Sequence, residues 1–452
     1  MTKTIDLLHG KIMRSLCILA VPIVMTYFIQ MAYNFIDMIW IGRLGSGAVA
    51  GVGVAGMFTW FSNGLVMMAK MGGQVKIGHC LGAGDDDDAR RYLGAALKLG
   101  IVFALFFGIG INILAHSLIG FFHLSSPAVI HDAVLYLRIT CGLVIFTFMN
   151  QIFTSSFNVY GDSRTPFIMN TCGLVSNVIA DPLLIFGIGP FPALGVAGAA
   201  VATVIAQGVS VVLCILYVMA RVRILIPGRK HLDVGRKLYW DLFSQSISMG
   251  LMSSIVSAGS VILQYGINGL GTLTIAGHTA ARKLFAFTDM PLIAMANAAS
   301  TFVSQNYGAG QPERIRKGMR EIYLYSLVVM VVTVLLMQVS AEWLVRMVSG
   351  SSEALVLENG ARYLRWTSPF YAVLGVLLST RYALQSLGEK VLPLFSSVIE
   401  FLGKIVFVLV FIPRFAYDAV ILCEPVIWCF MALYLVAVYR CNPFVFPKKK
   451  QA

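Results

Sequence analysis

Charge is what this chain has least of. Only 12% of its 452 residues are Asp, Glu, Lys or Arg, while 58% are apolar. So little charge cannot cover a water-soluble globule of this length, which excludes that class. The eight cysteines include no CxxC pair and fall mostly inside apolar runs, so neither a disulfide framework nor a zinc site is indicated. No HExxH or GxSxG signature and no converging His/Asp set occurs, which leaves an integral membrane enzyme poorly supported.

What the chain has instead is apolar length. Runs long enough to cross a bilayer recur from end to end, separated by short polar breaks. Twelve are expected, near 14–40, 47–72, 91–116, 128–157, 165–188, 194–220, 241–266, 273–303, 318–340, 354–383, 391–412 and 417–439. This makes the fold class an all-α integral membrane protein. The net charge of +13 then reads as topology rather than nucleic-acid binding. With both termini cytoplasmic, most Lys and Arg, including Arg90, Arg91, Arg314, Arg316 and Arg381, fall on inside segments. The outside segments hold only Arg43, Arg346, Arg362 and Arg414.

The chain also repeats itself. "HCLGAG" (79–84) has a partner in "QNYGAG" (305–310), and "IGRLGSGAVAGVGVA" (41–55) lies over "INGLGTLTIAGHTAA" (267–281), both at an offset of 226. "YLR" at 136–138 and 363–365, and "GDSRTP" (161–166) with "GEKVLP" (388–393), match at 227. Collinear pairs at half the chain length indicate a duplication. Each half holds six spans, an even number, so both insert the same way up and are related by a pseudo-two-fold axis along the membrane normal. The expected organisation is a six-helix lobe over 1–220, a cytoplasmic linker over 221–240 broken at Pro227-Gly228, and a second six-helix lobe over 241–452.

"GAGDDDDARR" (82–91) is the one dense acidic stretch. Adjacent residues on a helix fan out by about 100° each, so these aspartates do not converge on a metal ion. They read as a helix start, with Asp86–Arg90 and Asp87–Arg91 spaced as i,i+4 pairs.

Single acids inside apolar spans carry more information, because burying a carboxylate at mid-membrane costs about 2.5–3.5 kcal/mol on insertion scales. Asp37 sits near the end of its span; it either faces a cavity or pairs with nearby Arg43. Asp181 is deeper, with Asn177 one helical turn before it and Pro182 directly after. Carboxylate and amide there suit a sodium ion, a protonation switch, or a plain interhelical hydrogen bond. In the second half, Glu400 and Lys404 are spaced as an i,i+4 pair, either a neutralised structural pair or a fixed charge; by offset Lys404 takes the place of Asn177. Asp289, before Met290-Pro291, either lines a cavity or caps its own helix start. His278 reads as packing.

The stretches "LAVPIVMTYFIQMAYNFIDMIWIGRLG" (19–45), "GAGDDDDARR", "YGDSRTP", "NVIADP" (177–182), "GVAGAAVAT" (195–203) and "QNYGAGQPERIRKG" (305–318) resemble, in this order, the multidrug and toxic-compound extrusion (MATE) transporters. The resemblance implies a V-shaped fold of twelve transmembrane helices in two pseudo-symmetric lobes. It implies alternating-access antiport, exporting organic, often cationic, compounds against H⁺ or Na⁺. Within the DinF-like prokaryotic branch, the coupling residues match Asp37, Asn177, Asp181 and Thr203, with Na⁺ expected at Asp37, Asn177 and Asp181 if sodium is the coupling ion. Roles for Asp289, Glu400 and Lys404 are not fixed by it. No cofactor beyond the coupling ion is called for. The expected partners are small organic substrates and the lipid bilayer, with no nucleic acid; a monomer in the bacterial cytoplasmic (inner) membrane is expected. The nearest rival within the superfamily is a lipid-linked oligosaccharide flippase, against which the scarcity of basic residues inside the spans argues mildly.

Overall fold

The computed structural model describes residues 5–122, 126–222, 228, 231 and 234–447. Pro227 and other parts of the expected 221–240 linker, His123 and the Lys448–Lys450 tail lie outside the described residues. Within them the chain is helical, without strands. The first half comprises α1 (Ile12–Gly42), α2 (Ser46–Ala83), α3 (Asp86–Gly120), α4 (Pro127–Gly142), α5 (Ile145–Val159), α6 (Arg164–Phe186) and α7 (Val196–Arg221). The second comprises α8 (Arg236–Asn268), α9 (Thr272–Thr288), α10 (Met290–Gly308), α11 (Pro312–Ser349), α12 (Ala354–Thr367), α13 (Tyr371–Ser386), α14 (Leu392–Val406) and α15 (Ile412–Cys441).

The twelve expected spans are recovered, several of them broken. α4 and α5 form one span bent by 41°. α9 breaks into α10 at Asp289, ahead of Pro291, and α12 joins α13 through a 3₁₀ turn containing Pro369. α14 runs through a π-turn at Phe407–Phe411 into α15 as 50 continuous helical residues. At 1.5 Å per residue that length is more than twice a hydrocarbon core, so it makes two spans. The division falls at Ala416, whose φ of 47° and ψ of −127° interrupt the helix.

Two compact units are present. The first contains Ile5 and the described residues of 21–250; the second contains 6–20 and 251–447. Both α1 and α8 therefore contribute to both units. The first turns of α8 belong to unit one for physical reasons. Asp241 accepts from Lys76 at 2.6 Å and from the Tyr92 hydroxyl at 3.1 Å. Gly72 brings α2 so close to α8 that a Cβ there would meet Ser246 Oγ at 2.0 Å. The start of the chain belongs to unit two because Asn306 donates to the Leu7 carbonyl at 3.2 Å, and Arg314 to the Leu7 and Gly10 carbonyls.

The acidic stretch is a helix start, as its sequence indicates. Asp85 caps α3 by accepting from the Asp88 N–H at 2.9 Å, and Arg91 pairs with Asp87 (3.2 Å) and Asp88 (3.0 Å). Asp87 also meets His231 at 2.8 Å. Arg381 departs from its expected cytoplasmic surface position. It is 6% exposed within α13, with Nε donating to Ser396 Oγ at 3.1 Å, because the guanidinium is drawn into a polar seam between α13 and α14.

Candidate functional site

The candidate site lies in unit one and is built by close helix packing. α6 and α7 approach without intervening bulk: a Cβ on Gly173 would meet Ser210 Oγ at 2.2 Å, and one on Gly198 the Leu184 carbonyl oxygen at 2.5 Å. Ala199, Ala202 and Ala206, all buried, continue this small-residue seam along α7. α1 joins them where Ile41 packs with Ile185, Val196 and Ala199, and where Trp40 meets the Phe186 ring edge-on at 6.0 Å. Four of the residues singled out from the sequence converge there.

Asn177 and Asp181 are both fully buried, one turn apart on α6, and Asn177 Nδ2 donates to Asp181 Oδ1 at 3.2 Å. Asp37, 6% exposed, reaches in from α1 to stand beside Asp181 and Asn177. Thr203 on α7 places its hydroxyl 3.2 Å from Asp37 Oδ2 and 2.9 Å from the Ala199 carbonyl. One hydroxyl proton serves both acceptors, so Asp37 is only half provided for. Arg43 does not neutralise it; its guanidinium lies over the Trp40 ring at 4.6 Å. Tyr33 and Tyr136, not among the residues singled out, also border the two carboxylates.

Three carboxylate and amide oxygens at this site, Asp37 Oδ1, Asn177 Oδ1 and Asp181 Oδ2, are buried and lack a hydrogen-bond partner among the described residues, as does the bordering Tyr33 hydroxyl. Buried acceptors without donors are costly, typically about 1–3 kcal/mol each. A dehydrated cation or a proton shared between the carboxylates satisfies that arrangement; a further carboxylate or an anion does not. Among the described residues no three His, Cys, Asp or Glu side chains converge, so the donor set is one of hard oxygens, not that of a zinc or iron centre.

The second unit holds the other residues named from the sequence, in a different arrangement. Lys404 is 2% exposed and donates to Glu400 Oε1 at 2.8 Å and Ser260 Oγ at 3.2 Å, the neutralised pair that the spacing indicates. Asp289 stands between α9 and α10 without a side-chain capping bond, and its Oδ1 is buried without a partner among the described residues. Its position is therefore not explained by capping. His278 packs edge-on against Tyr363 and meets Tyr417 OH at 3.2 Å. Sequence reasoning missed a further ion pair of this unit, Arg282 with Glu424 at 2.6 Å. The signal was there: each is an ionisable residue inside an apolar run.

Two stretches of equal length, 22–183 and 249–410, match the model of the MatE family, and together they cover well over half of the chain. The chain belongs to the MatE family. The paired matches also reproduce the internal duplication, in the same register as the "YLR" and "GDSRTP" pairs. The MatE relatives include the probable multidrug resistance protein YoeA of Bacillus subtilis, 24% identical over 452 residues (97% of this chain, 95% of that one). An FAD transporter of Shewanella oneidensis is 27% identical over 317 residues, 69% of each chain. Among solved structures, an outward-facing multidrug resistance MATE transporter of the MOP superfamily superposes with a TM-score of 0.88 at 19% identity, covering 98% of this chain and 99% of that one. A MOP superfamily transporter of Pyrococcus furiosus gives 0.87 at the same identity and coverage. The fold is that of the twelve-helix MATE transporters, and the chain is a multi-pass membrane protein of a transporter family.

Proposed function

We propose that this MatE protein is a secondary antiporter that exports small organic compounds, often cationic, against an inward flow of H⁺ or Na⁺. The carrying observation is the set of three partnerless buried oxygens on Asp37, Asn177 and Asp181, with Thr203 at their edge. A membrane protein retains two adjacent carboxylates at such cost only where a cation neutralises them during the working cycle. Binding of the ion drives export by favouring one facing state of the carrier over the other, which requires different ion affinity in the two states. The chain sits in the cytoplasmic membrane with both termini inside, following the placement of its Lys and Arg residues, and works as a monomer. No cofactor takes part beyond the coupling ion.

The test is efflux from cells and counterflow in proteoliposomes under imposed pH or sodium gradients, with a panel of dyes and antibiotics. Asp37→Asn and Asp181→Asn are each expected to abolish gradient-driven transport while membrane expression persists. Normal efflux by both well-expressed variants would overturn the assignment. A second reading, export of a flavin dinucleotide, is favoured by the Shewanella relative; FAD included in the same panel decides it.

A further inference from the structure

The duplication places the Leu263–Gln264 step at the position of Asp37, Tyr363 at that of Tyr136 and Lys404 at that of Asn177. Unit two therefore lacks a second dicarboxylate ion site, and a different polar pocket stands in its place. A cavity of about 230 Å³ is lined there by Ser260, Gln264, His278, Arg282, Tyr363 and Glu424. We infer that this cavity binds the zwitterionic end of an organic solute, its carboxylate on Arg282 and its basic nitrogen on Glu424. The inference rests on the export reading and specifies a substrate class for it.

Arg282 and Glu424 both retain unused hydrogen-bonding capacity. Arg282 spends only Nη1 on its neighbours, donating to Glu424 Oε2 at 2.6 Å and to Tyr363 OH at 3.1 Å. Tyr363 OH donates to the same Glu424 oxygen at 2.9 Å. The Nε–Nη2 edge of the guanidinium has no partner among the described residues. Yet 39% of the side chain remains accessible, and Arg282 lines the cavity. That edge presents two parallel N–H groups, the geometry that grips a carboxylate with two bonds. The guanidinium is held in place by Glu424 and by the Phe285 ring, 4.8 Å below it. On the other side, both bonds to Glu424 fall on Oε2, leaving Oε1 as an unused acceptor.

Charge favours a zwitterion over a simple anion or cation. The neighbouring groups are the Lys404–Glu400 pair, reached through Ser260, and Asp289, which lies within electrostatic range of Arg282. A lone anion meets three acids around two cations, and a lone cation meets the guanidinium. A solute bringing both charges satisfies the free edge and the free oxygen together, leaving the balance of the pocket unchanged. The volume admits an amino-acid-sized head and leaves the rest of the solute outside.

The test is binding of Nε-dansyl-lysine, its methyl ester and its Nα-acetyl derivative to the full-length protein in detergent, read by dansyl fluorescence. The wild type is expected to bind the zwitterion about tenfold more tightly than either derivative, the scale of one charge-assisted contact. Arg282→Lys keeps a cation against Glu424 but removes the fork, so the zwitterion-to-ester ratio should fall to about twofold or less. Glu424→Gln should lower the zwitterion-to-acetyl ratio instead. Because each ratio is measured within one protein, a partly destabilised variant still discriminates between the outcomes. Equal affinity for zwitterion and ester in the wild type, or an undiminished ratio in Arg282→Lys, overturns the inference. Gradient-driven dye transport by the same protein reconstituted into liposomes would then leave the export reading standing, whereas loss of both removes the two together.

Discussion

Asn177 donates to Asp181 across 3.2 Å from one helical turn away on α6, and its own Oδ1 has no partner among the described residues. The amide thus does two things. It holds one carboxylate in a fixed rotamer and contributes an oxygen to the group that awaits a cation. Neither function is replaceable by an apolar side chain of similar size.

With sodium as the coupling ion, Asn177→Leu is accordingly expected to raise its half-saturating concentration by about tenfold, one lost oxygen ligand worth about 1–2 kcal/mol. Ion titrations of counterflow in liposomes measure it. An unchanged half-saturation point with normal expression would place Asn177 in a purely structural role.

The close seam between α2 and α8 gives a prediction about packing. A Cβ at Gly72 meets Ser246 Oγ at 2.0 Å and Ser246 Cβ at 3.2 Å. Gly72→Ala should therefore cost about 1–3 kcal/mol by overpacking. Combining it with Ser246→Gly removes the obstructing atoms and should recover a large part of that loss. Thermal unfolding in detergent of the two single variants and the double variant forms the cycle; additive losses would contradict the contact.

Much of this architecture was legible in the chain. Twelve apolar runs and the duplicated "GAG" and "YLR" segments carry periodicity and repetition, which survive without knowledge of tertiary contacts. Asp37, Asn177 and Asp181 were legible for a related reason: isolated polar groups in apolar helices are costly, so each draws notice; Thr203 came only from the family resemblance, and their convergence follows from the small-residue seam of α6 and α7. Arg282 and Glu424 were missed because their partnership joins residues 142 apart in sequence, a relation no local spacing reveals. The breaks at Asp289 and near Ala416 were marked in the sequence, the first by Pro291 and the second by the gap between the expected spans 391–412 and 417–439; that a non-glycine residue at positive φ makes the second was not.

Lys404 supplies a prediction in unit two. With the ammonium 2% exposed and bonded to Glu400 and Ser260, its removal strands a carboxylate whose side chain is only 12% accessible. Lys404→Met should destabilise the protein by about 3–5 kcal/mol, the usual cost of breaking a buried pair from one side. Lys404→Met with Glu400→Leu should recover most of it, since both charges then leave together. Denaturation in mild detergent with each variant provides the comparison. Equal losses in the single and double variants would show that the pair does not act as a unit.

Ala416 is, among the described residues, the only non-glycine residue with a positive φ, and it stands where the 50-residue helical run must turn into a second span. An L side chain at φ 47° and ψ −127° brings its Cβ against the backbone, at a cost of about 1–3 kcal/mol. Glycine adopts that conformation without the clash, so Ala416→Gly is expected to raise the unfolding midpoint, less the small entropy penalty of glycine in the unfolded chain. Ala416→Val, with a branched Cβ at the same dihedrals, should lower it by more than its added apolar area returns. Midpoints ordered Gly above Ala above Val establish the strained turn; the reverse order, which helix propensity alone would give for Gly and Ala, would mean the run passes through residue 416 as regular helix.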